Sequence, residues 1–171
     1  MEILKVRNEK KIELPKPQGH LCFACGTDNP IGFNLRFYRL GDTICSDITL
    51  GKYHVGWDNI AHGGMISTLL DETMSWTIIY FEKVFTVTRK MEIKYIKPVK
   101  IGIPLTVKGR LMKDQNNPSI IKVRAELFDD KGKILVRGIG EFVMLSDDKL
   151  SIISDNMKKE MILLFDQLAS L

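Results

Sequence analysis

Hydrophobic positions along the chain switch between two periods. Phe33, Leu35 and Phe37 alternate with Asn34, Arg36 and Tyr38, and after the turn Leu40-Gly41-Asp42 the alternation resumes at Ile44, Ser46, Ile48 and Leu50. This pattern predicts two antiparallel strands with a short connection. From about His62 to Glu82 the spacing becomes helical. Met65, Ile66, Leu69, Leu70, Met74, Trp76, Ile78, Ile79, Tyr80 and Phe81 cover most of the circumference, so this helix is buried nearly all round. Four more strands follow: Phe85 to Lys97, then one with Leu105, Val107, Gly109 and Leu111 inward, one with Ile121, Val123, Ala125 and Leu127 inward, and Ile134 to Leu145. Asn116-Asn117-Pro118 and Asp129-Asp130-Lys131-Gly132 supply turns between them. Clean alternation marks an antiparallel sheet with one buried and one wet face. A helix buried all round needs a sheet that curls about it, which predicts an α+β fold with one central helix.

The ends are different. Residues 1–21 are polar and interrupted by Pro15 and Pro17, and read as an irregular leader or a short helix. Residues 155–171 return to helical spacing, with Met157, Met161, Leu164, Phe165 and Leu168 on one stripe for the core or a partner subunit. One domain over residues 1–171 is expected, with its core at 22–146.

Composition sharpens this picture. The 171 residues are 44% apolar and 27% charged, enough for a real core and unlike a disordered chain. No apolar run is long enough for a transmembrane helix, and the first residues lack a signal-peptide core, so a cytoplasmic protein without a membrane role is expected. A net charge of +4 is compatible with an anionic small molecule and falls short of a nucleic-acid binder. No serine-hydrolase elbow, P-loop, zincin or dinucleotide fingerprint is present.

Candidate chemistry lies on the buried helix. His62-Gly63-Gly64 opens it, and glycines there let a ligand approach free backbone N–H groups at the positive end of the helix dipole. His62 is either a polarising group or the maker of a structural hydrogen bond. Asp71 is a carboxylate on a greasy helix. Gly64, Ser67, Thr68 and Ser75 fall within about 60° of it around the axis. Glu72 points about 100° away, toward Met65, Leu69 and Trp76, to snorkel or form an ion pair. Gly63 and Asp71 are about 12 Å apart along the axis, too far to touch one carbonyl together. Acting on one substrate, they must come from two subunits of a symmetric pair.

These residues resemble the hotdog-fold acyl-CoA thioesterases of the phenylacetate-degradation type. The resemblance runs from Cys22 to Leu145. It rests on Cys22-Phe23-Ala24-Cys25-Gly26 with Asn29-Pro30-Ile31-Gly32, on His62-Gly63-Gly64 with Asp71-Glu72, and on Thr88-Arg89, Met91-Glu92, Lys94-Tyr95 and Pro98-Val99. It implies a curved antiparallel sheet wrapped around a long helix, homodimers and often tetramers, and hydrolysis of an acyl-CoA thioester without a cofactor. It places the oxyanion N–H on Gly63, the general base or nucleophile on Asp71, a water-orienting hydroxyl on Ser75 and a contact to the acid on Thr88. By strand parity Thr88 stands opposite Met91 and Ile93, so that contact requires a bulge or a site facing the partner. Gly64, Asn59 and Tyr95 are expected at the substrate, with Lys97 and Lys113 for its phosphates. Several relatives carry an asparagine about six residues before the histidine, where this chain has Gly56. The competing functions are a non-catalytic acyl-CoA sensor and an acyl dehydratase or hydratase.

Cys22, Cys25 and Cys45 read first as reduced thiols, with no metal expected. Half of a zinc site, completed by His20, Cys45 or His54, is the second reading, and a redox pair the third.

Overall fold

The computed structural model describes residues 10–113 and 117–171. Asn116 of the expected turn and residues 1–9 of the leader lie outside these. The elements in chain order are β1 (Ile12–Glu13), β2 (Tyr38–Leu40), β3 (Thr43–Thr49), β4 (Val55–Trp57), β5 (Ile60–Ala61), α1 (Gly63–Phe81), β6 (Thr86–Tyr95), β7 (Pro104–Leu111), β8 (Ile120–Asp129), β9 (Ile134–Met144) and α2 (Asp155–Ala169). Short 3₁₀ turns cover Lys52–His54 and Asp147–Ile152. Seven strands form one antiparallel sheet in the order β1-β2-β3-β7-β8-β9-β6, and β4 and β5 form a separate hairpin.

The sheet curls around α1, as the all-round apolar pattern requires. Ile66, Leu69, Leu70, Met74, Trp76 and Ile78 are buried, and so are Thr73 and Thr77. Each of these two threonines satisfies its hydroxyl on the carbonyl one turn back, Thr73 on Leu69 at 2.8 Å and Thr77 on Thr73 at 2.7 Å. The inward positions of β7 and β8 meet this helix. At Gly109 the approach is so close that a Cβ would collide with Thr77 Oγ1 and come within 3.0 Å of the Thr73 carbonyl. Glu82 N–H donates to the Ile78 carbonyl at 2.8 Å, and Lys83 follows in the left-handed region with φ 53°, which ends the helix. This is the hotdog architecture expected from the resemblance.

Two expectations are corrected. The leader is not wholly irregular: Ile12 and Glu13 pair with Arg39 and Tyr38, and Leu14 N–H continues the ladder to the Phe37 carbonyl at 2.9 Å. The first predicted strand is shorter than its alternation implies. Leu35 and Phe37 are buried as expected, but the N–H groups of Phe33 and Leu35 donate to Phe23 and Ala24 in the cysteine loop, at 2.9 and 3.0 Å. Asn34 between them has φ 49°, so no ladder forms until Tyr38. At the other end, α2 tucks Leu164 and Leu168 against the core. Among the described residues no helix is long and apolar enough to cross a membrane.

Candidate active site

The start of α1 is built so that one donor stays free. His62 is the N-cap, its Nδ1 accepting from Gly64 N–H at 2.9 Å. His62 N–H donates to the His54 carbonyl at 2.8 Å and Met65 N–H to the His62 carbonyl at 3.0 Å. Of the N–H groups that a helix start leaves over, Gly63's has no acceptor among the described residues. His62 therefore makes the structural hydrogen bond of the two readings, and it caps Gly64 rather than Gly63. Gly56 packs against it. A Cβ there would lie 3.0 Å from His62 Cα, so this backbone path takes glycine where relatives carry asparagine.

Around Gly63 a small network closes. Tyr95 Oη donates to the Gly63 carbonyl at 3.0 Å and lies 2.8 Å from Ser67 Oγ, which also donates to that carbonyl at 3.0 Å. Gly63, Gly64, Tyr95 and Lys97 line one pocket of about 550 Å³, with Ile60 and Val99 among its apolar walls. Lys97 is exposed beside Lys133, which holds its ammonium below the ordinary lysine value.

The second half of the candidate site is two turns further along α1. Asp71 is half-buried, and Thr88 Oγ1 donates to its Oδ1 at 2.8 Å. Burial raises the carboxyl above its ordinary value, and the Thr88 hydrogen bond opposes the rise. The strand bulge needed for this contact exists. Thr88 pairs with Phe142 and Lys90 with Glu141, leaving Arg89 as the extra residue. The slip puts Thr88 on the same face of β6 as Met91, Ile93 and Tyr95. Ser75, one turn beyond Asp71, is half-buried, and its hydroxyl has no hydrogen bond among the described residues.

Two expected residues stand apart. Asn59 is exposed at the β4–β5 turn, its backbone carbonyl taken by Ile101 N–H at 2.8 Å. Lys113 lines a different cavity of about 570 Å³, on the outer face of the sheet with Lys108, Arg110 and Arg124. Within one chain it does not join the others.

Glu72 neither snorkels nor meets a cation. Trp76 Nε1 donates to its Oε1 at 3.1 Å, and Oε2 lies 4.0 Å from Cys22 Sγ. Burial pushes its pKa up to about 7. Cys22, Cys25 and Glu72 have donor atoms within 4.8 Å of one another. Cys45 is buried in β3, and His54 Nδ1 accepts from Gly51 N–H at 2.9 Å, so neither belongs to this group. The sequence reading missed the proximity of Glu72, because only the register between the cysteine loop and α1 reveals it.

Residues 58–136 match the family model of the thioesterase superfamily. None of the curated proteins matches the chain in sequence. Among solved structures, one thioesterase superfamily protein shares 24% identity at a TM-score of 0.63; the match takes in 68% of this chain, which spans only 56% of that protein. A hypothetical thioesterase from Streptococcus pneumoniae TIGR4, solved with coenzyme A, shares 18% identity at a TM-score of 0.58 over 66% of this chain and 87% of its own. That protein was also solved with an aspartate and with a threonine replaced by alanine. The PaaI protein from the phenylacetic acid degradation operon of E. coli shares 14% identity at a TM-score of 0.60, over 67% and 81%. The matched residues run from the β4–β5 turn to the start of β9 and include both halves of the candidate site.

Proposed function

We propose that this chain is an acyl-CoA thioesterase working as a homodimer, with each active site shared between two subunits. The observation that carries the reading is the division of the site along α1. A free N–H at Gly63 and a carboxylate at Asp71, held by Thr88, sit about 12 Å apart on one helix. Two such helices packed antiparallel across a two-fold axis bring Gly63 of one protomer beside Asp71 of the other.

In this arrangement the thioester carbonyl oxygen accepts from Gly63 N–H. Asp71 of the other protomer either takes a proton from water as it attacks, or attacks the carbonyl itself to give an anhydride that water then opens. Charge developing on the oxygen is held by the N–H and the positive end of α1, and one such donor lowers a barrier by about 3–4 kcal/mol. The leaving thiolate resembles a cysteine's, of pKa about 8.5, and departs without a strong acid. The pocket at Gly64 and Tyr95 receives the pantetheine end, and Lys97 with Lys133 meets phosphate. The coenzyme A in the pneumococcal relative supports this ligand class, and the residue types altered in it, an aspartate and a threonine, are the pair hydrogen-bonded here.

The test is thiol release from a panel of acyl-CoA and aryl-CoA thioesters. Wild-type protein is expected to turn over at least one of them, and Asp71→Asn to lower kcat by about 100-fold or more with the oligomer intact. Release from no thioester, with coenzyme A still bound, would replace the enzyme by a binding module. Undiminished turnover in Asp71→Asn would remove Asp71 from its role.

A further inference from the structure

The loop before β2 holds a second constellation that the hydrolytic reading leaves unused. The Sγ atoms of Cys22 and Cys25 and a carboxylate oxygen of Glu72 converge within 4.8 Å of one another. The loop is built to present the sulfurs. Gly26 N–H donates to the Cys22 carbonyl at 2.9 Å, and Asp28 N–H to the His20 carbonyl at 3.1 Å. Only glycine fits at position 26, because a Cβ there would stand 2.5 Å from the Cys22 carbonyl oxygen.

The Lys16 ammonium lies by the cluster, but its hydrogen bonds go to other groups. Lys16 Nζ gives its protons to the Cys25 carbonyl, Asn34 Oδ1 and the Leu35 carbonyl, at 2.7, 2.6 and 2.9 Å. Lys16 thus pins the loop and leaves the donor atoms facing one another. Trp76 fixes one oxygen of Glu72 and leaves the other toward Cys22. Beside the cluster lies a cavity of about 130 Å³, lined by Cys22, Cys25, Glu72, His20, Trp76 and Met161. Its wall includes a buried orphan: His20 Nε2 lies 3.0 Å from Glu160 Oε2 but is misaligned and makes no hydrogen bond.

We propose that Cys22, Cys25 and Glu72 bind a zinc-type divalent transition metal ion, with a fourth coordination position facing this cavity. Paired thiolates with two residues between them select borderline and soft cations over magnesium or calcium, and a carboxylate completes a mixed set that zinc accepts. Binding replaces the two thiol protons, which pass to solvent, and no electrons move. The ion ties the loop at 22–25 to α1 one residue from Asp71.

The experiment uses the full chain, reduced and freed of metal, titrated separately with zinc and cobalt(II). Bound metal is measured by mass spectrometry of the elements, and thiolate coordination by the near-ultraviolet charge-transfer bands of cobalt. One ion per chain and clear thiolate bands are expected. Cys22→Ser and Cys25→Ser are expected to lose the bands and at least about tenfold in affinity. Glu72→Gln keeps the shape and the Trp76 hydrogen bond, and is expected to weaken binding while circular dichroism stays that of the wild type. Failure of the reduced wild-type protein to take up stoichiometric metal overturns the proposal, as does a Cys22–Cys25 disulfide with no uptake after reduction. Wild-type affinity in either cysteine variant, or in Glu72→Gln, overturns it equally.

Discussion

Single atoms decide most of the chemistry at this site. The Gly63 N–H is available only because its neighbours at the helix start are already bonded, Gly64 to the His62 side chain and Met65 to the His62 carbonyl. Proline at 63 isolates that N–H. The position is the first of the helix, where proline's fixed φ is welcome, and His62 already has the extended ψ of 134° that precedes proline well. Gly63→Pro is expected to fold normally and to lower kcat by about 100- to 1,000-fold in the thiol-release assay. Thr88 offers a complementary test. Its hydroxyl is the hydrogen-bond donor to Asp71, and a bond to a charged group is worth about 1.5–3 kcal/mol. Thr88→Val should cost about ten- to 100-fold in kcat, and Thr88→Ser should restore most of it. Loss in Thr88→Ser with none in Thr88→Val would show that the methyl group matters, rather than the hydroxyl.

The elements were legible to different degrees, for physical reasons. The period of α1 was unmistakable, because a helix surrounded by sheet must be apolar on nearly every side, and the structure runs it from Gly63 to Phe81 inside the expected 62–82. The strands β7, β8 and β9 read equally well, since each keeps one face dry. What periodicity cannot show is how closely two elements approach. Gly109 in β7 looks like one more inward position, yet Thr73 and Thr77 press the helix backbone onto it. Gly109→Ala is expected to destabilise the fold by about 1–3 kcal/mol, read as a lower denaturant midpoint with unchanged slope. The bulge at Arg89 was required by the Thr88 contact and is present, whereas alternation alone places Thr88 on the wrong face. Leu35 and Phe37 mark the opposite limit: burial alternates as in a strand, but their segment pairs with the cysteine loop. Glu72 shows why the site was only partly readable. Its distance from Cys22 spans fifty residues of chain, and no local pattern encodes it.

At the scale of the whole molecule, the sheet ends on a long strand with no further strand beside it among the described residues. β6 is the edge, ten residues long, and it carries the exposed side chains of Val87 and Tyr95. An edge of this kind is a template for pairing with another strand, and a second copy related by a two-fold axis would meet it with the same strand. The proposed division of the active site requires the same operation to set α1 against its mate. Mixing two inactive variants tests this arrangement directly. Gly63→Pro spoils the N–H of its own chain and Asp71→Asn the carboxylate of its own. In a mixed dimer one site inherits both defects, and the other combines an intact Gly63 from one chain with an intact Asp71 from its partner. Random reassortment at equal amounts makes half of the dimers mixed, each with one working site, so about 25% of wild-type activity should return. Sites contained within one chain would each retain a defect in every combination, and the mixture would stay as inactive as its parents. Native mass spectrometry of the mixture, in which the mixed dimer has a mass between those of its parents, separates a failure to exchange subunits from a failure of the shared site.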